Sequence, residues 1–214
     1  MSNTTIAIID YGMGNLRSVS KALEHVAPDI EVQVTSDPEA VARAERVVFP
    51  GQGAMPDCMR EMDARGLRPA VLEAARTKPF LGICIGLQML FERSEEGDTP
   101  GLGVFPGRVK LFAREAMQDA HGGRLKVPHM GWNEVMRANP HALWQGIADA
   151  SRYYFVHSYY VEAAKPQLVV GRSIYGIPFT SAVAQDNIFA VQFHPEKSQN
   201  TGLALLANFV TWKP

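Results

Sequence analysis

Apolar residues in the first half of the chain follow two alternating patterns, one typical of buried strands and one typical of helices. Residues 5–9 form an apolar, β-branched run, which predicts a strand buried on both faces. An apolar residue then recurs every three or four positions from Leu16 to Val26, which predicts a helix. By the same reasoning we expect strands over residues 30–35, 46–49 and 79–83, and helices starting at Ser36-Asp37-Pro38 and covering residues 56–76 and 86–93. Such repeated strand–helix units predict a mainly parallel sheet covered by helices.

The second half of the chain has short apolar segments separated by tight turns. These segments predict strands over residues 107–112, 132–136, 151–161, 167–172, 180–184 and 188–193, after a polar loop at 95–106 and before a closing helix at 202–212. Strands joined by turns as short as Asp186-Asn187 pair in an antiparallel manner, either as additions to the main sheet or as a small side sheet. We therefore predict an α/β fold of three layers, in which a mixed, mainly parallel central sheet is flanked by helices and extended by antiparallel additions in the C-terminal half. Because no linker or repeat is visible, we expect residues 1–214 to form a single domain.

Charge and cysteine content narrow the classes of function. The formal net charge is -1 over 214 residues, so no broad cationic face favours nucleic acid or anionic lipid as a partner. Two cysteines do not resemble the pattern of a disulfide-stapled secreted domain. The sequence has no recognisable signal peptide and no apolar run of the roughly 20 residues that a membrane helix needs. We expect a cytoplasmic protein with no nucleic-acid or membrane partner.

The most informative segment joins a predicted strand to a predicted helix at Cys84. Gly82 and Gly86 flank this cysteine at two residues on either side, which is the spacing of a nucleophile elbow with cysteine in place of serine. The glycines leave room for a sharp turn that holds the nucleophile in a strained conformation, and a helix N-terminus favours a thiolate. In isolation, the alternative is a small buried apolar residue, as most unpaired cysteines are. Cys58 has no such frame and is interpreted as structural.

A cysteine nucleophile needs a base, and the base needs a third group that fixes its tautomer. His194 follows another apolar strand, where a parallel sheet places its ligands, and Glu196 is close enough in sequence to hold one imidazole nitrogen. In isolation this tripeptide is more typical of a surface turn, and His129 and His157 are rival candidates for the base. No cysteine or histidine spacing typical of a metal site occurs, so we expect neither a metal nor a cofactor.

Together these motifs resemble the class I, or triad, glutamine amidotransferases. The resemblance rests on three segments in the family's order: Pro50-Gly51-Gln52-Gly53, Gly82-Ile83-Cys84-Ile85-Gly86-Leu87-Gln88 and Phe193-His194-Pro195-Glu196. It implies an α/β enzyme in which the catalytic residues are Cys84, His194 and Glu196. It implies an oxyanion hole formed by Gly51, Gln52, Gly53 and Ile85, and glutamine binding by Gln88, Glu96, Ser158 and Tyr159. Gln52 departs from the pattern, since a small or β-branched residue is expected there.

Further segments narrow the resemblance to the glutaminase subunits of imidazole glycerol phosphate synthases. They are residues 10–19, 127–133, 154–160 and 194–198. The resemblance implies a heterodimer with a (β/α)-barrel cyclase subunit, which receives ammonia through a tunnel. Its products would be imidazole glycerol phosphate and an aminoimidazole carboxamide ribotide, in histidine biosynthesis. The residues that it places at the interface with the partner are Asn15, Arg17, Met130, Trp132 and Asn133.

Other functions stay open on the sequence alone. The same glutaminase chemistry could serve another synthase, such as one that forms pyridoxal phosphate, anthranilate or guanylate. A γ-glutamyl hydrolase or cysteine peptidase on a related fold would act without a partner. A non-catalytic interaction module would keep the motifs without the activity. Binding of a dinucleotide is disfavoured, because the turn at residues 10–18 lacks the third glycine of that fingerprint.

Overall fold

The computed structural model describes residues 4–113, 115, 117–119 and 121–214. Its strands are β1 (Thr5–Ile9), β2 (Glu31–Thr35), β3 (Arg46–Gly51), β4 (Phe80–Cys84), β5 (Phe91–Ser94), β6 (Thr99–Pro100), β7 (Phe105–Leu111), β8 (His129–Arg137), β9 (Ser151–His157), β10 (Tyr159–Ala163), β11 (Val169–Tyr175), β12 (Ile177–Gln185) and β13 (Ile188–Val191). Its α-helices are α1 (Leu16–Val26), α2 (Pro38–Arg43), α3 (Met55–Ala64), α4 (Arg68–Thr77), α5 (Ile85–Met89) and α6 (Gln199–Thr211). Short 3₁₀ turns lie at Glu96–Asp98, Ala142–Trp144, Pro166–Leu168 and Pro195–Lys197.

One mixed sheet connects these strands in the order β2-β1-β3-β4-β13-β12-β10-β7-β5-β6. The first five strands in that order are parallel neighbours. From β13 onward, β12, β10 and β7 pair in antiparallel fashion, and β11, β8 and β9 branch from β12 as further antiparallel strands. The predicted mixed sheet, with antiparallel additions in the C-terminal half, is confirmed.

Helices cover both faces of the parallel part of the sheet. The chain steps from β1 to β2 in one direction along the sheet and from β2 to β3 in the other. Because such crossovers are right-handed, α1 and α2 lie on opposite faces. α6 packs on α1, and α4 packs on α2, which gives the three predicted layers. The strand side chains between the layers are fully buried, among them Ile8, Val48 and Leu81.

The helix predicted over residues 86–93 is wrong in its second half. α5 ends at Met89, and the chain continues as β5, which pairs with β7 in parallel. Phe91 and Ser94 are buried while the two charged residues between them are exposed, so pairing with β7 outweighs the helix preference of this stretch. The predicted loop at 95–106 contains β6 and the first residues of β7. The single strand predicted over residues 151–161 is two strands, β9 and β10, separated at Ser158.

Candidate functional site

The carboxyl ends of three neighbouring strands bring the predicted motifs to one edge of the sheet. Gly51 on β3 pairs in register with Cys84 at the end of β4. Val191 on β13 pairs with Ile83 on β4, so His194, three residues further along the chain, reaches the same edge. A cleft with a volume of about 230 Å³ opens there, and both Cys84 and His194 line it.

The elbow at Cys84 has the strained backbone that its glycines predict. The φ and ψ angles of Cys84 are 56° and -108°, a region that side-chain-bearing residues rarely adopt. A Cβ atom on Gly86 would lie 1.8 Å from the carbonyl oxygen of Phe49, and one on Gly82 would lie 2.9 Å from the Cβ of Ala190. The helix that follows is only five residues long, so its dipole favours a thiolate less than the predicted helix would.

A buried carboxylate holds the imidazole beside Cys84. His194 Nδ1 lies 2.8 Å from Glu196 Oε1, and the two side chains are only 5% and 2% exposed. Burial lowers the pKa of His194, but the neighbouring Cys84 and Glu196 outweigh it and raise that pKa to about 10. Nε2 has no hydrogen-bond partner among the described residues, so it is the nitrogen left for proton transfer. The arrangement can protonate a leaving group and then activate a water molecule.

Most of the residues predicted to bind glutamine or the oxyanion line the cleft. They are Gln52, Gly53, Ile85, Gln88, Glu96, Ser158 and Tyr159. Gly51 and Glu196 lie behind this surface, against Cys84 and His194 respectively. Gln88 Oε1 is a buried acceptor without a partner in the described part of the chain, which suits a donor from a ligand. Glu96 Oε2 accepts a hydrogen bond of 2.8 Å from the backbone N–H of Met55, which fixes the carboxylate beside the cleft.

Two buried side chains hold the turn at residues 50–53: Tyr11, which the sequence analysis did not single out, and Cys58, which it interpreted as structural. The Tyr11 hydroxyl donates to the carbonyl of Pro50 at 2.9 Å, and the Cys58 thiol donates to the carbonyl of Gln52 over 3.6 Å. Burial raises the pKa of Cys58 to about 11, so the thiol keeps its proton and stays a donor. No sequence signal reveals these contacts, because they arise only when α3 and the β1 end pack against the turn.

The cleft also includes Pro128, Val156 and His157, which the sequence reasoning did not assign to it. His157 was a rival for the base, but both of its ring nitrogens are engaged. Nδ1 lies 2.7 Å from the carbonyl oxygen of Tyr159, and Nε2 lies 3.0 Å from Nδ1 of His129, the other rival. His194 therefore keeps the better geometry for proton transfer at the sulfur.

The sequence of this chain also matches a known family. A profile of the family Glutamine amidotransferase class-I matches residues 7–212. This chain belongs to the class-I glutamine amidotransferase family. It is 71% identical over 214 residues to the imidazole glycerol phosphate synthase subunit HisH of Dechloromonas aromatica, covering 100% of this chain and 99% of that protein. It is 67% identical over 209 residues to subunit HisH of Thiobacillus denitrificans, covering 98% of this chain and 92% of that one.

A solved structure agrees with the fold. A glutamine amidotransferase from Thermotoga maritima superposes with a TM-score of 0.62, at 15% identity, over 92% of this chain and 77% of that chain. At this identity the likeness concerns the α/β architecture alone.

The residues predicted at the amidotransferase's partner interface fall into two groups. Asn15 and Arg17 are exposed near the start of α1. Met130 and Trp132 project from one face of β8 and are 62% and 38% exposed, so they form a small apolar patch there. Asn133 differs, because its side chain turns to the opposite face and donates to the carbonyl of Ile174 at 2.9 Å.

The described residues of the amidotransferase offer neither a metal cluster nor a membrane-spanning helix. Among them, no group of three or more His, Cys, Asp and Glu side chains is arranged to hold a metal ion. Within the same part of the chain, no helix has the length and apolar character needed to cross a bilayer.

Proposed function

We propose that this amidotransferase is the glutaminase subunit of an imidazole glycerol phosphate synthase. The observation that carries the proposal is the arrangement at the sheet edge: a strained cysteine beside an imidazole whose other nitrogen is held by a buried carboxylate. That arrangement suits hydrolysis of an amide through a thioester. The names of the relatives support the choice of this synthase among the possible partners of a glutaminase.

The reaction follows from the positions of three side chains. The Cys84 sulfur attacks the amide carbon of glutamine, and the C–N bond breaks as His194 Nε2 gives a proton to the nitrogen. Ammonia leaves and a γ-glutamyl thioester remains on Cys84. His194 then takes a proton from water, whose oxygen attacks the thioester carbon and releases glutamate. Glu196 holds Nδ1 of the imidazole throughout, so that Nε2 stays directed at the reacting atoms.

The cleft supplies the remaining contacts. Glu96 binds the substrate ammonium, and Gln88, Ser158 and Tyr159 help to hold the same amino-acid end of glutamine. The backbone N–H of Ile85 faces the developing oxyanion, and the Gly51–Gly53 turn supplies the second donor. The carbonyls on either side of the Gly51–Gln52 peptide are tied by Tyr11 and Cys58, so a reorientation that presents this donor is centred on that peptide. Loss of one such donor typically costs about 10²–10³ in rate.

The partner is a (β/α)-barrel cyclase subunit. The exposed apolar pair on β8, with Asn15 and Arg17 near the start of α1, provides the surface for the heterodimer. Ammonia passes from the cleft to the cyclase without entering bulk water, where it would be protonated. The cyclase then forms imidazole glycerol phosphate and an aminoimidazole carboxamide ribotide.

The test compares two nitrogen sources in the assembled complex. We expect Cys84→Ala to abolish cyclisation with glutamine but to leave cyclisation with ammonium chloride unchanged, and Cys84→Ser, which keeps the shape of the site, to lose nearly as much glutamine activity. If the cyclase and its ribotide do not raise glutamine turnover by the wild-type chain, the chain supplies ammonia to a different synthase. If the isolated chain instead hydrolyses γ-glutamyl peptides at full rate, it is a partner-independent hydrolase.

A further inference from the structure

Strand β8 carries different groups on its two faces. Met130 and Trp132 point outward on the proposed partner surface, whereas His129 is buried on the inner face and Asn133 turns the same way. On the neighbouring strand β9, His157 lies directly opposite His129 in the antiparallel register. The proposed catalytic chemistry uses neither histidine, although His157 lines the cleft.

The hydrogen bonds of this histidine pair allow only one direction of donation. The carbonyl of Tyr159 can only accept, so Nδ1 of His157, at 2.7 Å, carries a proton. Burial lowers the pKa of His157 to about 3 and that of His129 to about 4, so both rings are neutral. Nε2 of His157 must then accept from Nδ1 of His129 at 3.0 Å. Nε2 of His129 is left as an acceptor, with the donor Nδ2 of Asn133 at 3.5 Å.

The Tyr159 carbonyl connects the histidine pair to side chains of the cleft through further hydrogen bonds. The carbonyl of Tyr159 also accepts from Nε2 of Gln88 at 3.1 Å, and that amide nitrogen donates to Oε1 of Gln192 at 3.0 Å. The Gln192 amide nitrogen in turn donates to the Cys84 sulfur over 3.8 Å. Because the nitrogen of Gln88 is committed to two acceptors, its oxygen is the atom left without a partner among the described residues.

We propose that His129 and His157 are positioning residues that join the partner face of β8 to the glutamine cleft. They hold the Gln88 amide with its oxygen free for substrate and the Gln192 amide with its nitrogen toward Cys84. A displacement of β8 by a partner seated on Trp132 therefore moves the Tyr159 carbonyl and both amides. This inference rests on the proposed glutaminase function, and it adds a route by which the partner's position reaches the cleft.

The alternative is that the two histidines only fill space. Phe112, Phe155, Tyr175 and Phe179 surround them, and His129 stacks on Tyr175 with ring centroids 3.9 Å apart. Their replacement could therefore destabilise the protein without any positioning role. A useful test needs a readout that packing does not change and a control that disturbs the same cluster.

The first measurement is the tautomeric state of the two rings. In the full chain with ¹⁵N-labelled histidine, NMR distinguishes a protonated Nδ1 from a protonated Nε2. We expect both His129 and His157 to be neutral Nδ1–H tautomers at pH 7, free and in complex with the cyclase. A charged ring, or an Nε2–H tautomer at either position, would overturn the proposal whether or not the chain is a glutaminase.

The second measurement separates positioning from packing in the active complex. We expect His157→Phe, which keeps a ring but removes the donor, to raise KM for glutamine about tenfold, with a smaller change in kcat. His157→Asn can still donate to the Tyr159 carbonyl and should restore most of that loss. Phe179→Leu disturbs the same cluster and should lower the melting temperature while leaving KM within about twofold. Equal KM changes in His157→Phe and Phe179→Leu would show that His157 acts through packing alone and would contradict the positioning role.

The link to the partner face is tested by His129→Phe and Trp132→Ala, alone and together. Each should lower the stimulation of glutaminase activity by the cyclase and its ribotide, and the double variant should lose less than the product of the two single losses. Multiplicative losses would mean that the two positions act independently. If the wild-type complex shows no glutamine hydrolysis at all, the glutaminase assignment itself fails. The tautomer measurement still tests the predicted hydrogen bond from His129 to His157 in that case.

Discussion

The pairing of His194 with Glu196 permits a quantitative prediction for Glu196→Gln. The replacement keeps the shape of the side chain but removes the charge from a buried contact of 2.8 Å. A charge-assisted hydrogen bond contributes roughly 1.5–3 kcal/mol, and each pKa unit corresponds to about 1.36 kcal/mol. We therefore expect the pKa of His194, raised to about 10 in the intact site, to fall to roughly 8–9. NMR titration of the His194 ring measures it directly.

The same substitution should change stability and activity in defined ways. A folded-state pKa above the unfolded value of about 6.5 adds stability that is fully present below that pH and is lost as the pH rises through the folded value. The difference in unfolding free energy between wild type and Glu196→Gln should therefore be largest near and below neutral pH and vanish above about pH 10. Because an amide no longer fixes the tautomer, kcat/KM for glutamine should fall by about 10²-fold or more.

The control for Glu196→Gln is an exposed carboxylate in an ordinary surface ion pair. Glu73 pairs with Arg76 on α4, where both side chains are more than half exposed, so Glu73→Gln should change neither the His194 titration nor kcat/KM. The reasoning is refuted if the His194 pKa in Glu196→Gln stays at its wild-type value, or if kcat/KM stays within about threefold of wild type.

Two further predictions follow from contacts around the elbow. Gly86→Ala should lower the free energy of unfolding by about 3 kcal/mol or more, because the new Cβ would overlap the Phe49 carbonyl. The control is Gly103→Ala, at a φ of 67° in open space, which should cost about 1–2 kcal/mol. Urea denaturation compares the two variants, and equal losses of unfolding free energy would contradict the predicted clash. At pH 8, iodoacetamide should label Cys84 in the folded protein but not Cys58, because the pKa of about 11 keeps the Cys58 thiol protonated. Mass spectrometry identifies the labelled peptide. Faster labelling of Cys58 than of Cys84 would contradict the prediction.

Much of the fold follows from patterns that are local in sequence. β1 and α1 occupy the predicted residues, because a short β-branched run and a regular helical repeat each have one way to bury their apolar side chains. The error at residues 90–93 arises where pairing with β7 decides the structure, and that strand lies more than ten residues further on. Local preference cannot anticipate such a partner.

The candidate site shows the same division. The sequence alone predicts that three residues lie close together, because each follows or ends a strand of the predicted parallel sheet: Gly51, Cys84 and His194. The carbonyl contacts of Tyr11 and Cys58 could not be predicted in this way, since they depend on how the helices pack against the turn. Nor could the amide contacts of Gln192, a residue inside a predicted strand segment whose side chain direction depends on the final register.

The positive φ angle of Cys84 lowers the stability of the folded protein at the position that the proposed reaction needs. A cysteine at a φ of 56° costs roughly 1–3 kcal/mol in conformational strain, which glycine would relieve at an entropic cost of about 0.5–1 kcal/mol. A selection for thermal tolerance alone would therefore tend to replace this cysteine, which is the proposed nucleophile. Directed evolution of a hardier variant needs to couple survival to nitrogen supply from glutamine, so that the strained residue is retained.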